Sequence, residues 1–170
     1  MSRVPSPIDV LGVPVHPISR QGSVDSIVAA VSAHRGGPTF THAAINATKL
    51  LACGDDPVLA DAIRHADLCT ADGIGALLMA RRLGNALPER VTGIDLMSDL
   101  VGIAAQRGWP VFLLGAEPGV ADAAARRLQE LHPGLVIAGV EHGFFAAGSE
   151  PDVAVRVAAS GARLLFVALP

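Results

Sequence analysis

The stretch PVFLLGAEPGVADAAARRLQELHPGLVIAGV, residues 110–140, decides the fold class. Pro110–Leu114 is a short apolar run of the kind that is buried on both faces of a parallel sheet. Gly115–Gly119 turns it into a helix expected over Val120–Leu131, and His132-Pro133-Gly134 ends that helix before a second strand, Leu135–Val140. Strand, helix and strand in succession make a βαβ unit, whose two strands lie parallel because the helix carries the chain back across the sheet.

The alternation extends in both directions. Upstream, Gln21–His34 places Val24, Ile27, Val28 and Val31 on one helical face, with Ser23 as its expected N-cap. A strand is expected over Pro38–Ala44, a helix from Asn46 to Cys53, and another from Asp56-Pro57 with Val58, Leu59, Ala62 and Ile63 turned inward. Asp67–Thr70 reads as a strand, Ala71–Gly75 as its loop, and the next helix runs to Leu83. Gly84–Gly93 is turn-rich, and a helix from Asp95 to Gln106 ends at Gly108 in the C′ position. Downstream, Ser149-Glu150-Pro151 opens a helix and Arg163–Leu169 is the last strand. The expected fold is α/β, a mainly parallel sheet with helices on both faces.

At 170 residues the chain fits one domain, expected to span 1–170, against a prior of about 150 residues per domain. Hydrophobic content of 51%, charge of 17% and a mean hydropathy of +0.45 exclude intrinsic disorder. Aromatics make up 4%, with no Tyr, so Val, Leu, Ile and Ala must fill the core. A net charge of −3 and a pI near 6.0 give no electrostatic footprint for nucleic acid. The longest apolar runs, such as 111–114 and 164–170, fall far short of the ~18 residues of a membrane span. Residues 1–20 carry Asp9, His16 and four prolines and do not read as a signal peptide, so a cytoplasmic location is expected. Cys53 and Cys69 form no CxxC and are expected to be buried thiols, and the six histidines show no HxxxH or HExxH pair, so no metal is expected.

Chemistry concentrates in loops that follow predicted strands, where open parallel sheets bind ligands. In Thr70-Ala71-Asp72-Gly73-Ile74-Gly75, Asp72 is placed as a general base, and Gly73 and Gly75 let backbone amides approach an anion. The alternative makes Asp72 a helix cap beside a tight glycine turn. In Glu89-Arg90-Val91-Thr92-Gly93-Ile94-Asp95, Arg90 is placed to hold phosphate, or else bridges Glu89 or Asp95, and Thr92 or Asp95 caps the next helix. Gly115-Ala116-Glu117-Pro118-Gly119 lacks the GxGxxG spacing of a dinucleotide site, which disfavours a dehydrogenase, though a looser nucleotide-binding turn remains open. In Glu141-His142-Gly143-Phe144-Phe145 an aromatic either stacks on a base or enters the core. No GxSxG elbow or GxxxxGK[ST] loop is present, against an esterase or a P-loop kinase.

As a set, six blocks resemble the WecG/TagA/CpsF glycosyltransferases, which build bacterial surface polysaccharides and wall teichoic acid linkage units. They are Asn46-Ala47, Ala66–Gly75, Ala80-Arg81-Arg82-Leu83-Gly84, Glu89–Leu96, Phe112–Gly115 with Pro118-Gly119, and Gly143-Phe144-Phe145. The resemblance runs from Val10 to Leu169 and implies a Rossmann-like fold. It implies transfer of an N-acetylmannosamine-type sugar from a UDP-sugar to a polyprenyl-diphosphate-linked acceptor, without a cofactor or metal. Asp72 matches the family's proposed base. Asn46, Gly73, Gly75, Arg90, Thr92, Asp95, Gly115, Gly143 and Phe144 are the substrate-binding candidates.

The sequence departs from the family pattern in two places. Ala44 stands where the family commonly has Thr, and the Gly-x-Pro-Lys-Gln-Glu motif and basic tail expected after the last strand do not follow Leu169-Pro170. The chain is therefore expected to lack the family's C-terminal tail, which leaves a non-catalytic nucleotide-binding or assembly domain as the alternative function. Membrane contact at the inner face is expected of relatives that carry the tail, and an exposed apolar strip left by its absence should favour a homo-oligomer.

Overall fold

The computed structural model describes residues 4–169. Their order is β1 (Ile8–Val10), β2 (Val13–Val15), α1 (Arg20–Ala33), β3 (His42–Ile45), α2 (Ala47–Asp55), α3 (Pro57–Arg64), β4 (Leu68–Ala71), α4 (Ile74–Arg82), α5 (Gly93–Arg107), β5 (Val111–Gly115), α6 (Val120–Leu131), β6 (Ile137–Glu141), α7 (Glu150–Ala159) and β7 (Leu164–Ala168). Parallel strands with helices packed around them make this an α/β fold. Contacts separate it into two compact units, residues 1–96 and 97–170.

In the first unit β3 and β4 pair in parallel, with His42 opposite Leu68 and Ile45 opposite Ala71. All four residues of β4 are buried, as its apolar run requires. The core around them is aliphatic: Val10, Val13, Val15, Ile45, Leu50, Ile63, Ala71, Ala76 and Ala80, with the Cys69 thiol. Cys69 is buried as expected, and burial pushes its thiol up to about 11, while Cys53 is half-buried. Asp56 caps α3 with its carboxylate on the Val58 and Leu59 amides, and Pro57 opens the helix. The inward face of α3 is Leu59, Ala60 and Ile63. Val58 and Ala62, expected inside, are exposed, since the helix turns its Leu59, Ala60 and Ile63 face to the core.

Two further expectations are corrected here. The N-cap of α1 is Ser19, whose hydroxyl accepts the Gly22 amide; Ser23 is buried one turn later with its hydroxyl on the Ser19 carbonyl. The strand expected over Pro38–Ala44 occupies Val-free His42–Ile45, since Gly36 and Gly37 adopt positive φ and Pro38 has no amide to give a ladder. The antiparallel pair β1–β2 had no counterpart in the sequence reading. Its two-residue turn, Leu11-Gly12, has positive φ at both positions, the type I′ geometry that sequence normally signals with Asn-Gly or Asp-Gly.

In the second unit the strand order is β6-β5-β7, all parallel, with β5 wholly buried in the middle. Phe112 lies over Gly139 of β6, where any side chain would overlap its ring. Phe112, Leu114 and Val153 form a buried cluster against which Phe145 and Val157 pack. The α6 boundaries match the expected helix residue for residue. β5 and β7 also fall where they were expected within a residue, whereas β6 starts two residues late.

Burial of β4 forces a polar arrangement that fixes two histidines. His16 donates its amide to the Cys69 carbonyl at 2.8 Å, and its Nδ1 accepts the Cys69 amide at 2.9 Å. Nδ1 is therefore unprotonated and the ring proton sits on Nε2. The Thr70 hydroxyl donates to the Val91 carbonyl at 3.3 Å, so His42 Nε2 is the donor in its 2.8 Å bond to Thr70 Oγ1. Burial, then the nearby Lys49 charge, then His16, hold His42 down to about 4; burial also lowers His16, against a backbone bond that raises it. Between pH 6.5 and 4 the unfolded chain takes up protons that these native imidazoles refuse, so stability falls as pH falls through that window. For His42 the loss is at most about 3 kcal/mol. Urea melts from pH 7 to 4.5 should show it, and His42→Gln should flatten the slope; an unchanged slope in the variant would remove His42 as its source.

Candidate functional site

The candidate residues of the first unit gather at the carboxyl edge of the β3–β4 pair. Asp72 follows β4 directly, and its amide donates to the Ile45 carbonyl at 2.8 Å, closing the pair one residue beyond the ladder. Its half-buried carboxylate has no hydrogen-bond or ion-pair partner among the described residues. The cap position of α4 is Gly73, at φ 100°, with no side chain on the helix's first amides. Asp72 therefore does not cap α4, and those amides stay open beside its carboxylate. Gly75 serves close approach: a Cβ there would stand 2.9 Å from the Ala47 Cβ, so the first turns of α4 and α2 touch through it.

Asn46 follows β3 as Asp72 follows β4. It is exposed, and its Oδ1 accepts the Lys49 amide at 2.8 Å, which makes it the N-cap of α2. The Lys49 ammonium folds back to the Ala44 carbonyl at 3.0 Å. The 84–92 loop is drawn to the same edge by the Val91 amide, which donates to the Ala71 carbonyl at 2.9 Å. Gly93 then passes against Ala44, with room of 3.5 Å for a Cβ.

Within that loop the geometry divides the candidates. Thr92 is buried, its Oγ1 accepting the Asp95 amide at 3.1 Å and donating to Asp95 Oδ2 at 2.6 Å, so the two lock the first turn of α5. Arg20 binds the Asp95 carbonyl and carboxylate, at 3.3 and 3.8 Å, and its amide donates to Glu89 Oε1 at 2.7 Å. Glu89 and Asp95 thus face Arg20, and the Arg20 contact had no signal in the sequence because it joins residues about seventy positions apart. Arg90 is exposed and touches neither Glu89 nor Asp95; no partner faces it among the described residues.

The remaining candidates lie at the carboxyl edge of the second unit. Gly115 has φ 138°, and the Ala168 carbonyl of β7 occupies the space a side chain would need. Ala116 is left-handed at φ 60°, held by its amide on the Ala168 carbonyl at 3.1 Å and by the Gly143 amide on its own carbonyl at 2.8 Å. The structure therefore brings Gly115 and Gly143 together; a Cβ on Gly143 would stand 3.2 Å from the Gly115 Cα. Of the two aromatics, Phe145 enters the core and Phe144 stays out, 59% exposed. Gly119, at φ 84°, caps α6 without a side chain.

Two shallow depressions in the first unit, about 250 and 400 Å³, are lined by other residues, the smaller by Phe40, Asp67 and α1 at the amino ends of β3 and β4. Neither is lined by Asp72, Asn46 or Arg90; Asp72 is half-buried, and Asn46 and Arg90 are exposed on the carboxyl edge, here called the ledge. Among the described residues no three His, Cys, Asp or Glu gather as a metal site, and no helix is long and apolar enough to cross a membrane. A family model described as glycosyl transferase WecG/TagA/CpsF family matches residues 8–170 of the chain.

Proposed function

Since the chain belongs to the WecG/TagA/CpsF family of glycosyltransferases of polysaccharide biosynthesis, which use a sugar-nucleotide donor and a lipid-linked acceptor, we propose that it moves an N-acetylmannosamine-type sugar from UDP to a polyprenyl-diphosphate-linked sugar, with Asp72 as base. The observation that carries this reading is the unpartnered Asp72 carboxylate at the end of a buried strand, beside the open amides of α4.

In the proposed step the acceptor hydroxyl gives its proton to the Asp72 carboxylate. The hydroxyl oxygen attacks the anomeric carbon opposite the diphosphate. The bond from that carbon to the diphosphate oxygen breaks, its electron pair leaves with UDP, and the configuration inverts. Arg90 and the amides at Gly73–Gly75 are read as holding the growing negative charge of the leaving group. Asn46, Thr92 and Asp95 shape the ledge while capping α2 and α5. Gly115, Gly143 and Phe144 remain substrate-binding candidates of the second unit. On this reading the chain works in the cytoplasm and meets its lipid-linked acceptor at the inner face of the cell membrane.

Asp72→Asn should lower sugar transfer by about 10²–10⁴ relative to the unaltered chain, with donor affinity by calorimetry unchanged; equal transfer would retire the base assignment. Arg90→Ala should weaken UDP-sugar binding by about 1.5–3 kcal/mol, as expected for hydrogen bonds to charged oxygens, and unchanged affinity would return Arg90 to the ordinary surface. A homo-oligomer is part of the same reading, supported by the row of exposed Leu165, Val167 and Leu169 on and after β7. Sedimentation should then give a mass above 17.4 kDa; a monomer at tens of micromolar speaks against it.

A further inference from the structure

We propose that Thr70 and His42 are positioning residues for Arg90: the Thr70 hydroxyl, oriented by the His42 imidazole, holds the Val91 carbonyl and so fixes the arginine at the end of β4. The inference rests on the donor reading above, in which Arg90 meets the diphosphate, and adds two residues to it.

Arg90 owes its place to the residue after it. The Val91 amide donates to the Ala71 carbonyl at 2.9 Å, so the peptide unit joining Arg90 to Val91 is bonded to the one joining Ala71 to Asp72. The Val91 carbonyl in turn accepts the Thr70 hydroxyl at 3.3 Å. The Val91 side chain is buried, so every part of this residue is committed. Before Arg90 in the chain, the Glu89 carboxylate takes the Arg20 amide at 2.7 Å. The arginine is thus carried between two anchors, while its own side chain is exposed and faces no partner among the described residues.

The strand does not need this hydroxyl for its own packing. Thr70 is wholly buried between Cys69 and Ala71. Valine has nearly the same shape, suits a buried parallel strand and brings no polar atom to satisfy. A buried hydroxyl requires partners, and Thr70 finds both outside β4: it donates to the Val91 carbonyl and accepts from His42 Nε2 at 2.8 Å. The imidazole sets the direction of the chain of bonds, because its N–H occupies Thr70 Oγ1 and leaves the hydroxyl proton for Val91. Burial first, then the nearby Lys49 charge and His16, hold His42 down to about 4, so the ring is neutral at neutral pH.

Fixing the loop bears directly on the proposed chemistry. An arginine on a free loop loses backbone as well as side-chain entropy when it grips a phosphate. With Val91 pinned, only the side-chain share is left to lose. Negative charge growing on the leaving diphosphate then meets a guanidinium whose backbone is already in place, which is the condition for electrostatic stabilisation without reorganisation.

Thr70→Val removes the hydroxyl and keeps the shape. It should weaken UDP binding about twofold to tenfold, the worth of one neutral hydrogen bond, leave uridine binding unchanged and speed amide hydrogen exchange in residues 84–92. His42→Leu should act in the same direction. Thr70→Ser and His42→Gln, which keep an O–H and an N–H in reach, should bind UDP as the unaltered chain does. In an Arg90→Ala chain, Thr70→Val should weaken UDP no further, because both changes act through one contact. If Thr70→Val does not fold, His42→Leu is carried through the same cycle. Two results overturn the proposal and spare the donor reading: both variants binding UDP as tightly as the unaltered chain, or weakening it equally with and without Arg90, which marks a role in the strand pair alone. Undiminished UDP binding by Arg90→Ala removes the arginine's role and this inference with it, and an unaltered chain that binds no UDP overturns the donor reading itself.

Discussion

A buried parallel strand must satisfy its backbone on both edges, and β4 meets that constraint with unlike partners. On one edge β3 supplies an ordinary parallel ladder. On the other, at Cys69, a single residue does the work of a strand: His16 gives its amide to the carbonyl and its imidazole Nδ1 to the amide. An unpaired buried amide or carbonyl costs about 1–3 kcal/mol, so the bonds at Cys69 are a condition of burying Leu68–Ala71 at all. The β1–β2 hairpin, with Val10, Val13 and Val15 in the core, is what delivers His16 to that place. The same constraint orders the chain at the strand's end. Ala71 gives its carbonyl to Val91, bringing the 84–92 loop alongside, and Ile45 takes the Asp72 amide, so the first polar side chain beyond the core emerges on a rigid ledge.

The parts of this arrangement that were legible in the sequence are those encoded locally. The α6 helix was bounded by Gly119 before it and by His132-Pro133-Gly134 after it, and its limits were read correctly. Asp56-Pro57 announced α3 with a side-chain oxygen and a fixed φ, and both act as expected. The errors came where two local signals competed or none existed. Ser19 and Ser23 are both able to cap a helix, four residues apart, and only the chain path from Ile18 chooses between them. The Leu11-Gly12 turn carries half of a hairpin signal, because leucine at positive φ is imposed by the strands it joins and not preferred by the residue.

The candidate site was legible to the same degree and for the same reason. A strand followed by Asp-Gly-x-Gly points to its own carboxyl edge, and Asp72 lies there. The long-range pairings were hidden. Arg20 engages Glu89 and Asp95 from the far end of the first unit, which decides that Arg90, and not its acidic neighbours, is left with its charge uncommitted. His42 and Thr70 read as ordinary strand residues and turn out to be a hydrogen-bonded pair under the 84–92 loop.

The division between committed and uncommitted groups is where structure passes into chemistry. Along the ledge Asn46, Thr92 and Asp95 each have hydrogen-bonded duties in holding a helix start, and substituting them would disturb the ledge before it disturbed a ligand. Asp72 and Arg90 have no such duty among the described residues, and the first amides of α4 have no side chain over them because the cap is glycine. The cap of α4 stands at φ 100°, where only glycine sits without strain, and glycine caps a helix within a few tenths of a kcal/mol of Asp, Ser or Asn. The chain places its aspartate one residue earlier and leaves a carboxylate and a set of open amides side by side. Such a pair suits a reaction in which a proton is taken at one point and negative charge grows at another, because neither group needs to abandon a structural bond when substrate arrives. The transfer of a sugar from a diphosphate to a hydroxyl is a reaction of that kind.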